Sequence, residues 1–191
     1  MIRALIFDCF GVLYSDGRRH IENLCPVEKQ DELRDLYRQS DYGFLERAEF
    51  VGQVAQLTGI SQKEFLAIEA EEYVRNQPLV EYILTKKGEY KIGLLSNVGE
   101  AFLESLFSNQ ERQSLFDEIV LSSKVGIMKP SREIYELMAA RFGLAPEECV
   151  FIDDQPKNVE GARLVGMNGL LFTSNHQLEL DLKPLLEARD A

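Results

Sequence analysis

The chain has 191 residues and a mass of 21.8 kDa, which suits one domain, or one domain with a small inserted module, better than two full domains. Apolar residues at 45% and charged residues at 28% supply a sizeable core and exclude a disordered or collagen-like chain. With 21 basic against 32 acidic residues the net charge is −11, and no basic face wide enough to bind nucleic acid is visible. Charges break every apolar stretch well short of the eighteen or so residues a membrane span needs. Asp8 interrupts the first apolar run and no small-residue cleavage site follows, so that run reads as a buried strand rather than a secretion signal. Cys9, Cys25 and Cys149 form no Cys-x-x-Cys pair, and a reduced, cytoplasmic compartment is expected. His20 and His176 lack the spacing of zinc ligands.

Five short runs rich in branched residues follow in chain order, at residues 2–7, 91–95, 118–121, 149–152 and 169–172. Their near-continuous hydrophobicity suits strands buried on both faces of a parallel sheet. Helical patterns lie between them. Residues 100–107 carry Phe102, Leu103, Leu106 and Phe107 at helical spacing. Residues 131–142 put Ile134, Leu137, Met138 and Phe142 on one face, with Ser131 as N-cap and Gly143 as a stop, and residues 158–165 end before Gly166. This alternation predicts a doubly wound α/β sheet. Residues 178–187 read as a packing terminal helix or edge strand.

One segment breaks the alternation. Between Asp16 and Gln77 only helical patterns occur, at residues 31–39, 47–57 and 62–74. An insertion just after the first strand lies where it can cover the crevice that open α/β sheets form at the carboxyl ends of their strands. Within it, Tyr37, Tyr42, Phe44 and Phe50 are expected to form its core, and Glu69, Glu71 and Glu72 a solvated helix face.

The carboxyl ends of the strands carry the chemistry. They hold Asp8 in Phe7-Asp8-Cys9-Phe10-Gly11, Ser96-Asn97, Lys129 in Gly126-Ile127-Met128-Lys129-Pro130, and Asp153-Asp154. Taken singly, each reads as a turn former, a cap or a surface group. Two adjacent carboxylates after a buried strand, however, repel one another unless a cation or donor relieves them.

Together and in this order these residues resemble the four motifs of the haloacid dehalogenase-like hydrolase superfamily. The chain is similar to its small helical-cap (C1-type) group, which includes phosphatases and epoxide-hydrolase N-terminal domains. FDCFGVL resembles the first motif, LLSN the second, Lys129 in GIMKPSREIY the third and VFIDDQPKNVEGA the fourth. A response-regulator receiver domain uses similar groups, but there the acidic pair follows the first strand and the lysine comes last. The resemblance implies a Rossmann-like catalytic core at residues 1–14 plus 81–191 and a helical cap at residues 15–80.

It also implies roles. Asp8 would be the nucleophile, forming a covalent aspartyl intermediate with a small phosphorylated substrate. Mg²⁺ would be held by Asp8, the Phe10 backbone carbonyl and Asp154, backed by Asp153 and Asn158. Asn158 stands where many relatives carry Asp. Ser96, with backbone N–H groups of Asn97 and of Cys9 to Gly11, would bind the transferring group, and Lys129 would neutralise its charge.

The chain departs from the family's phosphatases at Phe10, where they carry a second Asp as general acid and base. A phenyl ring transfers no proton, and such catalysis supplies about 10²- to 10⁴-fold, or roughly 3–5 kcal/mol. Three readings stay open at this stage. One is a Mg-dependent phosphatase, slow or acting on good leaving groups, or helped by a cap group among Asp16, Asp41 and Tyr42. The second is a 2-haloacid dehalogenase, which needs no acid but works without metal and lacks the Asp-Asp pair. The third is a catalytically impaired metal- and phosphate-binding regulator.

Overall fold

The computed structural model describes residues 1–187. Its sheet contains β1 (Ala4–Phe7), β2 (Lys91–Ser96), β3 (Glu118–Leu121), β4 (Cys149–Asp153) and β5 (Asn168–Leu171). All pairings are parallel, in the order β3-β2-β1-β4-β5. Each expected strand forms, with its ends moved by a residue or two. The chain builds outward from β1 through β2 to β3, then crosses to β4 and β5 on the other side. The reversal of direction falls between β1 and β4, where a doubly wound sheet opens its crevice.

Among the described residues, eleven α-helices accompany the sheet: α1 (Arg18–Leu24), α2 (Gln30–Tyr42), α3 (Arg47–Thr58), α4 (Gln62–Glu72), α5 (Gln77–Lys86), α6 (Glu100–Leu106), α7 (Asn109–Leu115), α8 (Ser122–Val125), α9 (Arg132–Phe142), α10 (Pro156–Leu164) and α11 (Asn175–Glu187). The sequence pattern did not show α1, α5, α7 or α8; of these, α1, α7 and α8 have seven residues or fewer and are too short to express a period. Residues 178–187 belong to α11, with Leu178 and Leu182 buried. Ser131 occupies the N-cap position of α9 but makes no capping bond, while Gly143 ends the helix at φ 65°.

Side chains alternate across the sheet. Leu5 and Phe7 face a core shared with Leu79, Val80 and Ile83 of α5, Leu103 of α6 and Leu178 and Leu182 of α11. Ala4 and Ile6 face the opposite core, with Ile134, Tyr135 and Met138 of α9 and Ala162 of α10. Each fully buried Leu, Ile or Phe contributes about 1.5–3 kcal/mol, so two covered faces lock the register. Leu79 and Val80, on the cap side of a boundary at residue 80, therefore pack with the sheet.

A separate cluster joins α1 to α4 through Ile21, Leu33, Leu36, Tyr37, Phe50, Val54 and Phe65. Phe44 does not belong to it: this residue is 77% exposed, and the half-buried Tyr42 stacks on it. Glu69 is also not solvated, being buried in an ion pair with Arg47, and Glu72 meets His20 at 2.9 Å. Of that acidic run, Glu71 is exposed and has no such partner among the described residues. The chain enters and leaves this module side by side. The Asn76 N–H donates to the Leu13 carbonyl at 2.8 Å, the Ser15 N–H donates to Val74 at 2.9 Å, and Tyr14 bridges Arg75 antiparallel.

Candidate active site

Register decides what the rim carries. Phe7 stands opposite Leu94 and Ile152, so the next residues of β1, β2 and β4 emerge together. Asp8 leaves β1 with its N–H bonded to the Ile152 carbonyl at 2.9 Å. Asp153 ends β4 and Ser96 ends β2, both fully buried.

Lys129 binds this rim together. Its ammonium lies 2.8 Å from Asp8 Oδ1 and 2.7 Å from Asp153 Oδ2, and the residue is 3% exposed. Asn97 positions it by a two-point clamp. Its Oδ1 accepts from the Lys129 N–H at 2.9 Å and its Nδ2 donates to the Lys129 carbonyl at 3.0 Å. The Asn97 side chain is thus committed to the lysine.

Asp153 is saturated: it also accepts from the Gln155 N–H at 2.8 Å and from Asn158 Nδ2 at 3.1 and 3.0 Å. Asn158 is held in turn by the Tyr135 hydroxyl, which donates to its carbonyl at 2.8 Å. Asp154 is half-buried and takes one bond, from Gln155 Nε2 at 2.7 Å.

Burial pushes the Asp8 carboxyl up to about 7, helped by the nearby Asp153 charge and opposed by Lys129. Burial works against the charged form of Lys129, but the charges of Asp8 and Asp153 and their hydrogen bonds outweigh it and raise the lysine. Asp154 is raised, chiefly by burial.

Carboxylate oxygens of Asp8, Asp153 and Asp154 lie within 4.8 Å of one another. An all-oxygen set of this kind suits a hard divalent cation such as Mg²⁺. The backbone leaves room at the same place. Gly11 has φ +76°, and a Cβ there would sit 2.3 Å from Asp154 Cγ, so only glycine lets the β1 loop and this carboxylate approach so closely.

The loop amides are less available than the motif resemblance implied. The Gly11 N–H donates to the Tyr14 carbonyl at 2.6 Å and the Cys9 N–H to Asp8 Oδ1 at 2.7 Å. Of the three, the Phe10 N–H is the one not bonded within the loop. The Gly11 N–H is spent within the loop, while its missing Cβ leaves room for Asp154. Ser96 Oγ and Asn158 Oδ1 are buried without a hydrogen-bond partner among the described residues.

These groups line one cavity of about 320 Å³, with Asp8, Phe10, Ser96, Asn97, Lys129, Asp154 and Asn158 on the sheet side. Asp16, Arg18, Glu22 and Asp41 close it from the cap. Of the three cap candidates for proton transfer, Asp16 and Asp41 reach the cavity and Tyr42 does not line it. The Phe10 ring is committed to an aromatic seam, edge-on to Tyr73 at 5.3 Å and stacked on Phe102 at 5.7 Å.

Arg18 was missed by motif reading. Its signal was the run Arg18-Arg19-His20, a basic cluster directly after the first strand in an acidic chain. Among the described residues no helix is long and apolar enough to cross a membrane.

A parallel sheet with its acids and a buried lysine gathered at the switch point, beneath a helical insert, defines the class: a Rossmann-like hydrolase with a capped site. The chain belongs to the haloacid dehalogenase-like hydrolase family, whose family model matches residues 2–166. It is 26% identical over 196 residues to a sesquiterpene phosphatase of Aspergillus oryzae, covering 96% of each chain. It is 29% identical to a phosphatase of Mycobacterium tuberculosis, covering 92% of this chain and 89% of the other. Its fold matches that of a HAD family enzyme of Bacteroides thetaiotaomicron solved with magnesium and inorganic phosphate, with a TM-score of 0.75 and 24% identity over 92% of this chain and 96% of that one.

Proposed function

We propose that the protein is a Mg²⁺-dependent phosphatase of small, polar phosphorylated compounds, with Asp8 as nucleophile. The observation that carries this reading is the buried Lys129 held between Asp8 and Asp153 beside Asp154. Three carboxylates against one ammonium leave an excess of two negative charges. A phosphate dianion approaches such a rim only if a divalent cation offsets that excess, whereas a metal-free dehalogenase has nothing to offset it with.

Asp8 and Asp154, with the Phe10 carbonyl, would hold Mg²⁺, and Asp153 and Asn158 would support them from behind. Bound there, the ion would supply the positive charge that lets an anionic substrate sit against an anionic nucleophile.

The residues divide the work. Lys129 keeps Asp8 in place and neutralises charge on the transferring group. The unpaired Ser96 hydroxyl donates to a phosphoryl oxygen. The free oxygen of Asp8 attacks phosphorus, the bond to the leaving oxygen breaks and the leaving group departs with its electron pair, and water then releases phosphate from the aspartyl phosphate, an acyl phosphate. Phe10 contributes no proton, so leaving groups that depart as stable anions react fastest.

The substrate is small and polar because charged residues dominate the 320 Å³ cavity. A terpenyl chain, as the name of the Aspergillus relative implies for that protein, would strand them without partners.

The test is hydrolysis of an aryl phosphate with Mg²⁺. Asp8→Asn and EDTA each abolish turnover if the reading holds. Activity that survives either treatment, or consumption of chloroacetate without metal, overturns it.

A further inference from the structure

The cap contributes a partly buried ion pair to the cavity. Arg18 Nη2 contacts Asp41 Oδ1 and Oδ2 at 3.3 and 3.2 Å, with side-chain exposures of 29% and 10%. Burying such a pair is often no better for stability than packing apolar side chains in its place. The contact also uses a single guanidinium nitrogen, so Nη1 and Nε make no bond to Asp41 and the carboxylate retains acceptor capacity.

The pair is aimed and braced. The Arg18 guanidinium lies 4.7 Å over the Tyr37 ring. The Asp41 carbonyl accepts from the Ser122 hydroxyl, which itself accepts from the Val98 N–H at 3.0 Å, two residues beyond Ser96. Asp41 is thus tied to the same loop that carries the phosphate-side hydroxyl. Its place over the cavity is set from the sheet, not only from the cap.

Charge narrows what can occupy the space between. Arg18 and Asp41 cancel, and the remaining cavity charges outside the acid–lysine rim are Asp16, Glu22 and Lys157, a net of −1. A second anionic group on the substrate would be repelled there, and an apolar tail would leave donors and acceptors unpaired. A hydroxyl satisfies both partners, accepting from Arg18 and donating to Asp41.

We propose that Arg18 and Asp41 form a subsite for a neutral, hydroxyl-bearing leaving group, making a sugar or polyol phosphate the preferred substrate class. This rests on the phosphatase reading, and the experiment separates the two.

With Mg²⁺ present, kcat/KM is compared for a hexose 6-phosphate, 3-phosphoglycerate, an isoprenyl phosphate and p-nitrophenyl phosphate. Loss of a hydrogen bond to a substrate hydroxyl leaves a buried group unpaired. The hexose phosphate is therefore expected to lead the other two natural-type substrates by about tenfold or more. Asp41→Asn and Arg18→Lys are expected to lower its kcat/KM by about 10- to 100-fold, mainly through KM, and at least tenfold more than for the aryl phosphate.

A preference for the carboxylated or isoprenyl substrate overturns the subsite, as does equal loss on hexose and aryl phosphates. Calorimetric binding of the hexose phosphate to Asp8→Asn supplies a readout without turnover. If that variant binds it tighter than inorganic phosphate, and adding Arg18→Lys removes the difference, the subsite stands even where the wild type hydrolyses nothing. In that case the phosphatase reading alone falls. No difference from inorganic phosphate refutes the subsite.

Discussion

Phe10→Asp tests whether the phenyl ring is what limits this site. The carboxyl introduced would sit on the loop between Asp8 and Gly11, on a residue that already lines the cavity. General acid–base assistance is worth about 10²- to 10⁴-fold. Alkyl phosphates, whose alkoxides leave poorly, should accelerate within that range, while p-nitrophenyl phosphate should change little in its first step. The gain has a structural cost. The ring contacts to Tyr73 at 5.3 Å and Phe102 at 5.7 Å are lost. With partial loss of apolar burial they amount to about 2–4 kcal/mol, or a fall in Tm of roughly 5–15 °C for a chain of this size. Steady-state rates on glycerol phosphate and p-nitrophenyl phosphate, taken well below the variant's own Tm, give the ratio. A folded variant with no gain on the alkyl substrate refutes the reasoning, because the proton would then already come from elsewhere, with Asp16 and Asp41 the carboxyls within the cavity.

Three further outcomes follow from the same geometry. Asp8 titrates near 7 in the folded protein and near 3.8 when unfolded, so its contribution to stability is full below about pH 4 and is lost as pH rises through 7. Without metal, thermal stability should fall between about pH 4 and 7 and level off above that. The rise in Tm caused by Mg²⁺ should grow over the same interval, by up to about tenfold in affinity per pH unit below 7, since the ion needs the ionised carboxylate. A shift independent of pH in a thermal-denaturation titration contradicts this. Gly11→Ala places a methyl group 2.3 Å from Asp154 Cγ at a φ of +76°, so Mg²⁺ affinity measured calorimetrically should drop by about 10- to 100-fold while the sheet still folds. Ser96→Ala removes a hydroxyl that has no partner among the described residues, so stability should hold or rise slightly while kcat/KM for aryl phosphate falls by about tenfold or more.

Much of the sheet side was legible because its signals are local. Asp8, Ser96 and Asp153-Asp154 each end a continuous apolar run, and parallel register then brings the run ends to one rim, whereas Lys129 arrives from the turn that follows α8. What sequence alone did not show is how polar side chains spend their bonds. The Asn97 side chain clamps Lys129, and the Gly11 amide closes a tight turn, because both depend on partners distant in the chain or on local backbone angles. The cap was harder still. Glu69 looks solvated by helix position, yet Arg47 from another helix buries it, and Phe44 looks like core yet lies outside it. Arg47 with Glu69 and Arg18 with Asp41 pair between different helices, and no periodicity encodes that.

The paired crossings at Leu13–Asn76 and Ser15–Val74 make the helical insert a single splice in the sheet's connectivity. A segment whose two junctions touch can be lengthened, shortened or exchanged without rethreading any strand. A transplanted insert would replace the side of the cavity that Asp16, Arg18, Glu22 and Asp41 line, while leaving the acid–lysine rim beneath it intact.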